Sequence, residues 1–114
     1  MKHHDRDAGM DALLLITTCP QDAATEIARC LVQKKLAACV NILPKIQSIY
    51  RWRDAVEETK ETMLIVKTTR ACYESLEKEI SKMHPYELPE IIAFPLSHGS
   101  AGYLQWVLTS CSPS

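Results

Sequence analysis

Glycine is scarce in this chain of 114 residues: three in all, at positions 9, 99 and 102, none in a GxGxxG or Walker pattern. That excludes the glycine-rich loops that cradle phosphates. No serine stands in a nucleophile elbow, and no family-specific signature surrounds any cysteine, so the expectation is a protein that is not an enzyme. Charge of one sign is missing too. Thirteen basic residues against fourteen acidic give a formal charge of −1, without the basic stripe that a nucleic-acid partner leaves. Long apolar runs are absent: the leader MKHHDRDAGMD has no hydrophobic segment, and ALLLI is too short for a signal peptide or a membrane span. Five cysteines, at 19, 30, 39, 72 and 111, make an odd count with no CxxC pair. This argues against a disulfide framework and a structural zinc site, and favours cysteines used as small buried hydrophobes in a reducing cytoplasm.

What the chain does have is an unusually long alternation. From Ala38 to Arg53, residues Ala38, Val40, Ile42, Pro44, Ile46, Ser48, Tyr50 and Trp52 fall on one face of an extended arm, and more polar residues on the other. A period of two marks a half-buried strand, and fifteen such residues span roughly 50 Å. The radius of gyration expected for a compact chain of this size is only about 13 Å. A turn near Arg53–Asp54 returns the chain through Glu57–Glu61 into the apolar Met63–Val66. Pro44 cannot donate a ladder hydrogen bond, so a bulge or bend is expected there. The projecting ribbon, carrying Ile46, Tyr50 and Trp52, predicts pairing with another copy of the chain. A monomer with a bulged and covered hairpin is the alternative.

Around this hairpin the pattern predicts a disordered leader over residues 1–11, a single domain over 12–111 and a tail over 112–114. Ala12 to Cys19 reads as a buried strand, and Pro20 to Leu36 as a helix with Ala24, Ile27, Ala28, Leu31 and Val32 on one stripe. Thr69 is a candidate N-cap for a second helix, which Pro85 ends. Glu90 to Phe94 reads as a short strand, central or nearly so. Ser100 is a candidate cap for a last helix whose Tyr103, Leu104, Trp106, Val107 and Leu108 leave little polar surface, a second hint of an intersubunit contact at Trp106. The order β-α-β-β-α-β plus a C-terminal helix predicts an α+β, ferredoxin-like split βαβ fold. RNA-recognition domains share that order, but KETMLIVK, the third strand, carries no aromatic residue.

Chemistry concentrates in Met83 to Ile91, where two prolines stiffen a connector holding an imidazole, a phenol and two carboxylates. His84 and Met83 are both able to bind copper or zinc; His84 could equally cap the helix end and pair with a carboxylate. A second reading places Tyr50, Trp52, Lys67, Tyr86 and Glu90 around an intersubunit cleft for a small anionic or amphipathic ligand, on the strength of an uncompensated Lys67 near aromatics. A third is a stable scaffold for another protein.

HPYELPEI, with KLAACVNI, SIYRW, LIVKT and FPLSHGSAGYLQW, resembles the CutA family of divalent-cation tolerance proteins, in register from Leu13 to Leu108. The resemblance implies a homotrimer with the long hairpins exchanged about the threefold axis, and a role in tolerance to copper and other divalent cations. The family's trimer is similar to that of PII nitrogen-signalling proteins, which implies small-molecule sensing as an alternative. Copper-binding members show a cysteine three residues before the helix-starting proline and a double histidine before the later proline. Here those positions hold Thr17 and Met83–His84, with Cys19 two places along on the same strand face. The implied metal ligands are therefore His84, Cys19 and Met83; the implied interface includes Ile46, Tyr50, Trp52 and Trp106.

Overall fold

Eight residues of alternating burial, Ala12–Cys19, form β1, and the rest of the sheet assembles on both sides of it. The computed structural model describes residues 11–113; the expected leader lies outside that range apart from Asp11. Seven further elements follow: α1 (Gln21–Gln33), β2 (Cys39–Trp52), β3 (Ala55–Thr69), a 3-10 turn (Arg70–Cys72), α2 (Tyr73–Met83), β4 (Ile91–Pro95) and α3 (Ala101–Ser110). All strand pairs are antiparallel, in the order β2-β3-β1-β4. This is the expected split βαβ arrangement.

One strand is misplaced by the sequence reading. Among the described residues β4 is an edge strand paired only with β1, not a central one. Its apolar composition suggested burial on both sides. Pro95, which has no N–H to donate, suits an edge, and Ile92 and Phe94 remain exposed there.

α1 and α2 pack over the face carrying Leu15, Cys19, Leu64 and Val66, where Ile27, Leu31, Leu76 and Ile80 complete the core. α1 begins one residue later than predicted because Pro20, at φ −62° and ψ 149°, is its extended N-cap. It ends earlier because Lys35 turns left-handed, at φ 62°. That residue lets Leu36 N–H reach back to the Leu31 carbonyl at 2.9 Å, a closure that normally employs glycine. Thr69 caps the 3-10 turn rather than α2 directly, its hydroxyl accepting from Cys72 N–H at 3.3 Å. α3 packs against β3 and β1.

The long hairpin is real, and its turn lies where predicted: Arg53 and Asp54 take φ of 50° and 69°, the two left-handed residues of a tight hairpin turn. The molecule measures 52 × 25 × 22 Å, so the hairpin extends well past the core. Pro44 and Lys45 form the expected irregularity. Leu43 pairs with Met63 but Ile46 with Glu61, so β2 carries one extra residue, and Lys45 has φ 62°. The consequence overturns the expected single face. Because side chains alternate, one inserted residue exchanges the faces. Val40 and Ile42, opposite Val66 and Leu64, face the helices; Ile46, Ser48, Tyr50 and Trp52, opposite Glu61, Thr59, Glu57 and Ala55, lie on the other side of the sheet.

Replacing Lys35 by glycine removes a left-handed strain at no cost in contacts, since Lys35 is exposed. Lys35→Gly is expected to stabilise the fold by about 1 kcal/mol, read as a higher urea midpoint with unchanged slope. An unchanged or lower midpoint would refute this account of the α1 end.

Candidate functional site

The face exchange at Pro44–Lys45 brings the distal half of β2 onto the same side of the sheet as the chain that leaves α2. There, Tyr50, Trp52, Glu61 and the Pro85–Glu90 segment enclose a cleft of about 880 Å³, with Thr18, Ser48 and Thr59 on its floor. Tyr50 is held by a 3.0 Å hydrogen bond between its hydroxyl and that of Thr59. Arg53 at the turn lies 5.1 Å from the Trp52 ring centre and bonds Glu87 at 3.1 Å, tying the hairpin tip to the connector.

The connector itself is fixed by a series of four residues. His84 ends α2, its N–H donating to Ile80 O at 2.8 Å. Its Nδ1 accepts from Tyr86 N–H at 3.2 Å, so Nε2 carries the proton and donates to Thr18 O at 2.7 Å. The Tyr86 ring lies 4.7 Å from the imidazole, and its hydroxyl donates to Glu61 Oε2 at 3.0 Å. Burial first, then the bond to Glu61 and its charge, push the Tyr86 phenol up to about 12.

This arrangement bears directly on the expected ligands. His84 does cap the helix, as one reading had it, but its ring pairs with backbone groups and not with a carboxylate. Both its nitrogens are committed, leaving no lone pair for a metal. Cys19 is fully buried, and by strand alternation it faces the helices, away from the cleft. Burial, followed by the charges of Glu61 and Asp22, raises its thiol pKa and disfavours the thiolate that metals bind. Met83 packs against the core. Thr17 is buried with its hydroxyl unpartnered among the described residues. The donors named from the sequence do not assemble, and no group of three or more His, Cys, Asp or Glu side chains converges among the described residues. The chain as folded does not fit a resident copper.

Of the five residues expected around the cleft, Tyr50, Trp52, Tyr86 and Glu90 line it and Lys67 does not. Lys67 stands opposite Cys39, at the other end of the hairpin, where it donates to Asn41 Oδ1. Its loss changes the ligand chemistry. The lining carries three carboxylates, Glu61, Glu87 and Glu90, and no Lys, Arg or His side chain; Arg53 at the rim is already paired with Glu87, so the balance of charge favours a cation over an anion. Glu61 is the residue that the sequence reading missed. It looked like one more charge in the solvated return arm, yet it is only 7% exposed. The bulge predicted at Pro44 held the clue, because counting the register through it places Glu61 beside Ile46 and Ser48.

The chain matches the CutA1 divalent ion tolerance protein family over residues 13–110. It is 44% identical over 98 residues to the divalent-cation tolerance protein CutA of Thermus thermophilus, covering 86% of this chain and 95% of that one. To human protein CutA it is 46% identical over 91 residues, 79% of this chain but 51% of that one, so it spans about half the length of that relative. Its backbone is similar to a PII-like protein CutA from a Nostoc species, with a TM-score of 0.84, 31% identity and coverage of 90% and 99%.

The bond from Tyr86 to Glu61 predicts a titration. A phenol raised from 10 to about 12 binds its proton more tightly in the folded chain. Its contribution to stability is therefore complete below pH 10 and lost as pH rises through about 12. Burial also raises the phenols of Tyr73 and Tyr103, so ultraviolet titration should show more than one late component, and Tyr86→Phe should remove the latest. An unchanged titration curve above pH 10 in Tyr86→Phe, apart from the loss of one ordinary phenol, removes the Glu61 bond from the account.

Proposed function

The chain belongs to the CutA1 divalent ion tolerance family, and from that membership we propose that it acts as a non-enzymatic, cytoplasmic homotrimer. In this reading it responds to cations through the cleft between hairpin and connector. The observation that carries the reading is Glu61. A carboxylate 7% exposed has one neutral donor, Tyr86, and no ion pair is found for it among the described residues. Removing a charge from water costs several kcal/mol unless it is compensated. Beside it stand Trp52, Tyr50 and Tyr86, whose ring faces attract cations. Together they suit a small amphipathic cation, its charged end at Glu61 and its apolar body on the rings. A divalent metal ion in the same cleft would meet oxygen donors, not the imidazole and sulfur of His84, Cys19 and Met83.

Three features support the trimer: the hairpin that outruns its core, the apolar side chains exposed on it (Ile49 and Val56, each 63%), and exposed Trp106 on α3. Ile46, Tyr50 and Trp52 are the interface residues proposed on the hairpin. The similarity to a PII-like CutA supports oligomeric assembly.

Light scattering is expected to give about three times the protomer mass of 12.9 kDa; a mass of one protomer sinks the trimer. Calorimetry with an arylalkyl ammonium, Zn(II) and Cu(II) tests the cleft. Binding of the ammonium, weakened at least tenfold (about 1.4 kcal/mol) by both Glu61→Gln and Trp52→Ala, supports it. Metal binding that disappears in His84→Ala and survives Glu61→Gln would return the site to the imidazole.

A further inference from the structure

Glu61 meets the cleft with one oxygen still unpaired. Its Oε2 accepts from the Tyr86 hydroxyl at 3.0 Å, and no partner of Oε1 is found among the described residues. Hydroxyl oxygens stand close by. The pair next to Ile46 and Glu61 on that face of the hairpin is Ser48 opposite Thr59. Thr18 shares the face as well, through its pairing with Met63, two residues along from Glu61. All three hydroxyl residues line the cleft. Thr59 shares a single bond with the Tyr50 hydroxyl at 3.0 Å, and no bond of the Ser48 hydroxyl is found among the described residues. Each of these oxygens keeps a lone pair with which to accept. The amide of Gln47, which could donate, is taken by Glu58 at 3.0 Å.

We propose that the cleft selects a primary arylalkylamine, against both its quaternary ammonium counterpart and its parent amino acid. This rests on the cation reading of the cleft and gives that cation its chemical class. The rings of Tyr50, Trp52 and Tyr86 attract a primary and a quaternary ammonium alike, so ring contact does not choose between them. Hydrogen bonding does. A primary ammonium carries three N–H donors, which Glu61 Oε1 and the hydroxyl oxygens of Ser48, Thr59 and Thr18 are able to accept. A quaternary ammonium carries none. Its methyl groups would displace water from a buried carboxylate and from the hydroxyls beside it without replacing a single bond. Acceptors left unpaired in this way weigh heavily against the ligand that lacks the donor.

The amino acid is refused on charge. Its carboxylate and its ammonium share one carbon, so an ammonium seated at Glu61 brings a second carboxylate beside the first. No Lys, Arg or His side chain lines the cleft to offset it. Arg53 at the rim is held by Glu87 at 3.1 Å, and Glu90 adds a further negative charge to the lining. Like charges repel more strongly where burial lowers the effective dielectric. The remaining ligand is one with an aromatic body for the rings, an ammonium for Glu61 and no acid group. That is the class of compound formed when an aromatic amino acid loses its carboxylate as carbon dioxide.

Calorimetry on the full-length protein compares phenethylamine, its N,N,N-trimethyl derivative and phenylalanine under identical conditions. Phenethylamine is expected to bind, and each of the other two to bind at least about tenfold more weakly. Ser48→Ala combined with Thr59→Ala should narrow the gap between the primary and trimethyl ligands, whereas Trp52→Ala should weaken both alike and preserve it. A trimethyl derivative or a phenylalanine that binds as tightly as phenethylamine overturns the selection and leaves the cation reading standing. A gap that the double substitution does not change removes the hydroxyls as its cause and overturns the proposal. If none of the three ligands binds, the cation reading itself fails and the selection falls with it.

Discussion

The extra residue at Pro44–Lys45 is the constraint on which the rest of the structure depends. Without it, the alternation begun at Val40 and Ile42 would carry Ile46, Tyr50 and Trp52 along the helix-covered side, beyond the reach of either helix. The bulge turns them to the opposite face. It also sets Ile46 across from Glu61, on the face of β3 that Glu61 shares with Thr59 and Glu57. A proline without an N–H and a lysine at φ 62° are unfavourable in a regular ladder. Here they sit where a regular ladder would have defeated the site.

The second half of the site is held by the connector, and its rigidity comes from polar groups used twice. His84 stops α2 with its backbone and fixes Tyr86 with its ring, and Tyr86 then reaches Glu61 with its hydroxyl. Each buried polar atom of the imidazole has a partner, as burial demands. That full satisfaction makes His84 a positioning residue. A histidine free to take a metal must give up Thr18 O or Tyr86 N–H and leave that backbone group unpaired, at a cost of about 1–3 kcal/mol. The carboxylate at the far end of the series carries charge without a charged partner, so the chemistry of the cleft passes from nitrogen and sulfur to oxygen and aromatic carbon.

Much of this was legible in the residues. β1 matches its apolar run, the hairpin turn falls at Arg53–Asp54, and the element order follows from where period two gives way to period 3.6. Pro20 and Pro85 bound the helices because a ring nitrogen without hydrogen resists the helix interior. The failures have specific causes. β4 looked central because five apolar residues do not reveal which strand faces are covered by other elements or copies. The metal donors looked convergent because proximity in sequence around Met83–His84 carries no information on which lone pairs the backbone has already claimed. Lys67 looked like a cleft residue because no charge in its strand segment offsets it, whereas the ladder leaves it opposite Cys39, where it meets Asn41. Glu61 was hidden by its neighbours: Glu57, Glu58 and Lys60 are exposed and Thr59 is half-buried, and only the register through the bulge sets Glu61 apart.

An isolated copy of this fold is left with three separate deficits. Among the described residues the outer ladders of β2 and β4 are unpaired, being the two ends of the sheet order. The sheet face opposite α1 and α2 shows Leu43, Ile92 and Phe94 to solvent. The cleft has the hairpin for one wall and a short connector for the other, so it is open along its length. Remedies that stay within the chain would treat these one at a time, for instance by charged edges, a covering helix or a longer lid. The hairpin offers a common remedy, because a second copy laid along it can pair an edge, cover apolar side chains and close the cleft in the same act. The length that no single core of this size requires then follows from the binding site: a wall for a neighbour must extend past the body that carries it.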